Sequence, residues 1–205
     1  MIPPKETRIF RYSEAKLPSR YGQFRVIAYR EQPSDVEHLA MVYGTPENRK
    51  APLVRVHSEC LTGEALGSLR CDCGEQLESA LRLISDAGDG CLIYLRGHEG
   101  RGIGLANKIA AYALQDMGLD TFDANERLGF APDAREFVAA AAILHDLGLT
   151  SIELLTNNPA KVSKLMDAGI HVPARRSLIG AFNASNATYL AAKKARFGHL
   201  IGPAS

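Results

Sequence analysis

The sequence predicts an α/β fold: a mixed β-sheet with a strand-rich N-terminal third and flanking helices. Short runs rich in β-branched residues, separated by Pro, Gly and Asn, dominate up to residue 57, and from residue 73 onward helical periodicity alternates with short apolar runs. The early strand-to-strand connections are too short for helical crossovers, which makes the sheet mixed.

The elements follow in order. Residues 22–30, 36–43 and 51–57 are the first strands, the last containing Leu53-Val-Arg-Val-His. Cys73 to Ala87 is a helix, with Leu77, Leu81 and Ile84 at spacings of four and three and a stop at Gly88. Cys91 to Arg96 is a compact apolar strand in which Cys91 reads as core. Ile103 to Met117 is a second amphipathic helix, and Asp133 to Leu147 a third, each closed by a glycine. A strand at Ser151–Leu155, a helix from about Pro159 to Ala168 and a short strand at Ile170–Val172 come next. Asn186 is placed to cap a final helix running to Phe197.

The 205 residues are 46% hydrophobic and 23% charged, enough for a substantial core. Net charge is +1, from 24 basic and 23 acidic residues, so no excess of positive charge is present to hold a nucleic acid or an anionic membrane. A small-molecule partner is expected. Neither a secretory h-region at the N-terminus nor a stretch of roughly 18 uncharged apolar residues appears, and the expected location is cytoplasmic.

In a reducing compartment, clustered cysteines point to metal or reactivity before disulfides. Cys60, ten residues, then Cys71-Asp72-Cys73 offers three thiolates, which leaves one position of a tetrahedral zinc ion open to water. Two alternatives stand beside this reading: buried free cysteines, or a closed structural site completed by His57.

Two turns join a strand to a helix and are suited to anions. Arg96-Gly-His-Glu-Gly-Arg-Gly-Ile-Gly-Leu brings four glycines and Arg101 to a helix N-terminus. Leu155-Thr-Asn-Asn-Pro-Ala-Lys sets Asn158 as N-cap, Pro159 at the first helical position and Lys161 in the first turn, where a lysine opposes the helix dipole unless an anion joins it. A solvated Lys161 is the bland reading. Asp133 with Glu136 resembles a capping box, which would account for both without catalysis.

Taken together, Arg55-Val-His-Ser-Glu-Cys-Leu-Thr-Gly, Ser68-Leu-Arg-Cys-Asp-Cys-Gly-Glu-Gln-Leu, His98-Glu-Gly-Arg-Gly-Ile-Gly-Leu, Ala111-Tyr-Ala-Leu-Gln-Asp and Leu154-Leu-Thr-Asn-Asn-Pro-Ala-Lys resemble GTP cyclohydrolase II. The resemblance makes residues 13–205 a single catalytic domain behind an N-terminal extension, residues 1–12. It implies hydrolysis of GTP to 2,5-diamino-6-hydroxy-4-(5-phosphoribosylamino)pyrimidine with release of formate and pyrophosphate, the first committed step of riboflavin biosynthesis. It also implies a homodimer, Zn2+ in each subunit and Mg2+ with the triphosphate. The second catalytic half of bifunctional riboflavin enzymes, a dihydroxybutanone phosphate synthase, is not expected in this chain.

Carried onto matching positions, the resemblance makes Cys60, Cys71 and Cys73 the zinc ligands. It assigns Arg55, Val56, His57, Ser58, Glu59, Gln76, Glu99, Gly100, Arg101, Thr121, Thr156 and Lys161 to GTP. Asp133 resembles the family's proton acceptor, Arg135 its proposed nucleophile and Tyr112 a tyrosine of the ring-opening chemistry. A guanidinium is always protonated, so electrostatic stabilisation is an equally good role for Arg135. Glu59 and Glu99 are both candidates to accept hydrogen bonds from guanine.

Overall fold

The computed structural model describes residues 8–131, 133–178, 183 and 185–200, without the side chains of Thr121, Phe122, Thr188, Ala192 and Phe197. Within that span a seven-stranded sheet runs in the order β1-β2-β3-β5-β4-β6-β7. The strands are β1 (Arg8–Ser19), β2 (Gly22–Gln32), β3 (Glu37–Tyr43), β4 (Leu53–Ser58), β5 (Gly90–Leu95), β6 (Ser151–Leu155) and β7 (His171–Arg176). The helices are α1 (Leu61–Glu64), α2 (Cys73–Ala87), α3 (Leu105–Asp116), α4 (Thr121–Arg127), α5 (Val138–Asp146), α6 (Pro159–Asp167) and α7 (Ala187–Phe197).

The sheet has two halves, as the connections dictate. Short turns make β1, β2 and β3 an antiparallel meander that continues onto β5, whereas helical crossovers make β5, β4, β6 and β7 parallel. From β4 the chain steps to β5 on one side, then crosses to β6 on the other. Strand order therefore reverses at β4, and the crevice beyond the C-terminal ends of β5, β4 and β6 is where such sheets bind ligands.

Strand alternation sorts side chains between two cores. Val54 and Val56 pack with Cys91, Ile93 and Leu95 against α5, while Leu53 and Leu92 pack with Ala80, Leu81 and Ile84 of α2. Arg55 and His57 share the α2 side with Leu53. Cys91 is fully buried, as expected, and burial pushes its thiol up to about 12.

Several boundaries differ from expectation. The third helix begins at Val138, with Phe137 at its N-cap, and not at Asp133. Asp133 and Glu136 thus lie ahead of the helix and form no capping box; Arg135 N–H binds Asp133 Oδ1 at 3.1 Å, and Glu136 pairs with Lys164 at 3.1 Å. The last strand runs to Arg176, further than its apolar run, because pairing with β6 carries it on. Asn186 precedes α7, but its side-chain oxygen accepts from the Asn183 N–H instead of capping the helix. The sequence reading did not anticipate β1, α1 or α4. β1 is almost wholly exposed and interrupted by a bulge near Arg11, so it lacks a clean apolar alternation. It begins inside the expected N-terminal extension; residues 1–7 lie outside the described residues.

Candidate functional site

The C-terminal ends of β4, β5 and β6 open into one cleft with an empty volume of about 1120 Å³, open to solvent. Residues 58–60, 98–101 and 156–158, at the strand ends and in the turns that follow them, supply much of its wall.

At one side Cys60, Cys71 and Cys73 place their sulfurs within 4.8 Å of one another. Cys60 Sγ and Cys71 Sγ are 3.6 Å apart and unbonded. Tetrahedral zinc with Zn–S near 2.3 Å needs sulfurs about 3.8 Å apart, so the donor set fits that ion. Cys60 precedes α1 and Cys73 is the first residue of α2, so the two helix starts deliver the thiols. Gly63 permits their approach. A Cβ on it would lie 2.7 Å from Cys71 Sγ and 3.3 Å from Cys60 Sγ.

His57 lines the same cleft but is not part of this cluster. Burial holds its pKa well below the usual range, so the neutral ring donates Nε2–H to Glu64 Oε1 at 2.8 Å. Burial raises Glu64 to about 7, and Tyr94 donates to its other oxygen at 2.6 Å. Among the described residues the cysteine cluster stands as a set of three, with no fourth protein ligand from His57.

Cations fill the other side. Arg55 reaches across the strand ends, donating to Leu155 O at 2.9 Å and to Gln76 Oε1 at 2.7 Å, and burial lowers its pKa to about 10. Among the described residues its Nε, like His57 Nδ1, is buried with no hydrogen-bond partner. Asn158 does cap α6, accepting from Ala160 N–H at 2.9 Å, with Pro159 next in the first turn. Lys161 is not solvated. Only 5% exposed, it bends back to donate to Val56 O at 2.9 Å, and burial with Arg55 and Arg135 nearby drives its pKa well below the usual lysine range. Val56 contributes that carbonyl; its side chain is core. Thr156 is 1% exposed and its hydroxyl accepts from Asn158 N–H at 3.1 Å, which shapes the turn.

Arg135 grips Asp133 through Nε at 2.8 Å and Nη2 at 2.6 Å. Burial alone would raise Asp133, and the paired Arg135 contacts outweigh it, leaving its pKa below the usual carboxylate value. The segment is pinned at both ends: Ala134 N–H binds Arg101 O at 3.1 Å, and Lys164 Nζ binds Arg135 O at 2.7 Å. Ser58 Oγ lies 3.1 Å from His98 Nδ1 and 3.5 Å from Arg135 Nη1. Asp133 stands behind Arg135 and does not line the cleft.

The glycine-rich turn carries Arg101 and Gly100, both at positive φ, to the cleft wall. Glu99 is buried, both oxygens engaged: Oε1 by Lys108 at 2.5 Å, Oε2 by the Leu61 N–H at 2.7 Å. Glu59 is the more exposed acid and accepts from Gly97 N–H at 2.5 Å. Tyr112 lines the cleft under Arg70, and burial raises its phenol. Thr121 begins α4, but its side chain lies outside the described residues.

Among the lining residues that sequence reasoning did not assign to the site are Lys108, Tyr189, Lys193 and His199. Lys193 on α7 binds Asp72 Oδ1 at 2.7 Å; Asp72 Oδ2 accepts from Gln76 at 2.6 Å, and Gln76 accepts from Arg55. A buried chain thus runs from the last helix, through the residue between two cysteines, to Arg55. The available signal was periodicity. Lys108 lies three residues before buried Ala111 and Lys193 three after buried Leu190, each a lysine on an apolar stripe.

Fold and cleft define an α/β protein with a thiol cluster able to hold a metal ion, set beside a field of buried cations. The family model described as GTP cyclohydrolase II matches residues 10–177, and the chain belongs to that family. It is 50% identical over 202 residues to the riboflavin biosynthesis protein RibBA of Rhodococcus jostii (strain RHA1), covering 96% of this chain and 48% of that protein. It is 48% identical over 201 residues to the probable bifunctional riboflavin biosynthesis protein RIBA 2, chloroplastic, of Oryza sativa subsp. japonica, covering 98% of this chain and 36% of that one. The chain spans about half the length, or less, of these curated relatives. A solved two-domain 3,4-dihydroxy-2-butanone 4-phosphate synthase from A. baumannii, RibBX, superposes with a TM-score of 0.49 at 20% identity, over 86% of this chain and 42% of that one.

Gly63→Ala tests the thiol geometry. The variant is expected to fold and to lose most of its bound metal, read by elemental analysis, because the added methyl occupies the space of the Cys71 sulfur. Full metal content in a folded Gly63→Ala protein would mean that the thiols do not form the site.

Proposed function

We propose that this chain is a cytoplasmic, homodimeric GTP cyclohydrolase II that converts GTP to 2,5-diamino-6-hydroxy-4-(5-phosphoribosylamino)pyrimidine, formate and pyrophosphate. The observation that carries the reading is the juxtaposition, in one cleft, of three clustered thiols with buried Arg55 and Lys161 and half-buried Arg135. A purine nucleoside triphosphate asks for both halves: hydrolysis at the base and charge stabilisation at the phosphates.

When bound, zinc would be held by Cys60, Cys71 and Cys73 and would supply the Lewis acid that activates water for ring opening and deformylation. The cations hold the other end. Arg55 Nε offers a buried donor already desolvated, and Lys161 can exchange the Val56 carbonyl for a phosphate oxygen. Arg101 and Arg135 extend that charge along the cleft, where Mg2+ bound to the triphosphate would share it.

Arg135 is best suited to electrostatic stabilisation, because two of its nitrogens face Asp133 and the pairing keeps it charged. Asp133 then orients the guanidinium, and its lowered pKa makes it a weak base. With Glu99 engaged on both oxygens, Glu59 is the acid we assign to the guanine edge. Tyr112 keeps its proton and can donate a hydrogen bond near the thiols. The exposed edge strand β1, with Phe10 and Tyr12 on its surface, offers a second copy a face to cover.

Incubation with GTP, zinc and magnesium, followed by product analysis, tests the reading: formate, pyrophosphate and the diaminopyrimidine should appear in equal amounts. Intact GTP would refute it, and a product that keeps its formyl group would assign the chain a shorter reaction.

Asp133→Asn and Arg135→Lys separate the charge roles. Both variants should fold, hold metal and lose most GTP turnover, on the order of a hundredfold or more if a preorganised stabiliser of the reaction is lost. An Asp133→Asn enzyme with unchanged turnover would show that the carboxylate charge is dispensable.

A further inference from the structure

The flank of Cys60 carries a cluster that neither half of the proposed chemistry uses. Lys108 Nζ lies 3.1 Å from Cys60 Sγ, 2.8 Å from Thr62 Oγ1 and 2.5 Å from Glu99 Oε1. Lys108 is 8% exposed, Thr62 and Cys60 6%, and Glu99 6%. The approach is deliberate in the backbone. Gly100, at φ 60, would bring a Cβ within 3.1 Å of Lys108 Cβ and 2.8 Å of Ile103 Cγ1, so only a glycine lets the turn bring Glu99 beneath the lysine.

A buried Lys–Glu pair is a poor source of stability on its own, since desolvation of both charges cancels most of the attraction. The ammonium here has a third partner, a metal-ligating sulfur, which an ordinary ion pair does not need. Three thiolates around a divalent ion leave a net negative charge in a buried place. A cation that donates to one sulfur offsets this charge and draws electron density away from the metal. The ion then keeps its strength as a Lewis acid.

We propose that Lys108 is a positioning residue that donates to the Cys60 thiolate and offsets the excess charge of the three-thiolate centre, and that Glu99 serves to hold Lys108 there. The proposal rests on the zinc reading above. It moves Glu99 from the substrate to the metal's surroundings, and it gives the glycine-rich turn a second task beside anion binding.

The test uses the full chain with cobalt(II) in place of zinc, reading the thiolate-to-cobalt charge-transfer band, together with the rate at which a chelator strips zinc. In Lys108→Met the more electron-rich thiolate should move the band to longer wavelength, and zinc should leave roughly tenfold faster or more, as for the loss of other outer partners of metal ligands. The Lys108→Met/Glu99→Gln double variant leaves no lone buried carboxylate and should show the same band shift even if the single variant folds poorly. Lys108→Arg, which keeps the charge, should stay closer to wild type than either. A band unmoved in the metal-loaded Met variants overturns the proposal, whatever the stripping rate does. A wild-type chain with no thiolate-to-cobalt band would instead overturn the zinc reading itself.

Discussion

Arg55 and Lys161 are both 5% exposed, and each spends a donor on a backbone carbonyl across the strand ends, at Leu155 and Val56. Burying like charges side by side is costly: burial lowers the pKa of both, and Arg55 adds to the lowering at Lys161. Much of the cleft is arranged around holding them. The Phe137 ring lies under Lys161, Lys164 and Arg135 and gives them an apolar floor. Gln76, Asp72 and Lys193 form the buried chain that fixes Arg55. The reversal of strand order at β4 makes the crowding possible, because loops from three parallel strands meet there.

The thiol side follows from the same placement. Strand alternation sends Arg55 and His57 toward α2, and α2 begins with Cys73, so the cation field and the thiols are fixed relative to one another by one strand and one helix. Asp72 joins them physically: it lies between two of the cysteines, and its carboxylate links Lys193 to Gln76. A shift in α7 would therefore reach both halves of the site, although the family match ends at residue 177.

Much of this was legible in the sequence. The bounds of α2 and β6 are as expected, since Gly88 ends a clean apolar stripe and a short apolar run ends at Thr156. The cysteine spacing points to a metal, and Asn158-Pro159 marks the start of α6 together with its cap. What failed were local readings that tertiary contacts override. Asp133 and Glu136 have the spacing of a capping box, but Arg135 and Lys164 claim their carboxylates and the helix starts at Val138. Glu99 sits in an anion-suited turn, yet it is claimed by Lys108, whose place on the apolar stripe of α3 is the one trace of its inward direction. β1 has little buried surface to leave a periodic trace.

If the buried cations form one site for a polyanion, as proposed, inorganic tripolyphosphate should bind there. A ligand that binds only the folded state raises stability with concentration. The midpoint of thermal unfolding should therefore rise with tripolyphosphate well beyond the effect of orthophosphate at equal ionic strength, and Lys161→Met should remove most of the rise. An arriving anion should also raise the Lys161 pKa that burial lowers, so binding should take up protons at pH values between the free and bound pKa. A midpoint that follows ionic strength alone, with Lys161→Met indistinguishable from wild type, would mean that these cations form no polyanion site.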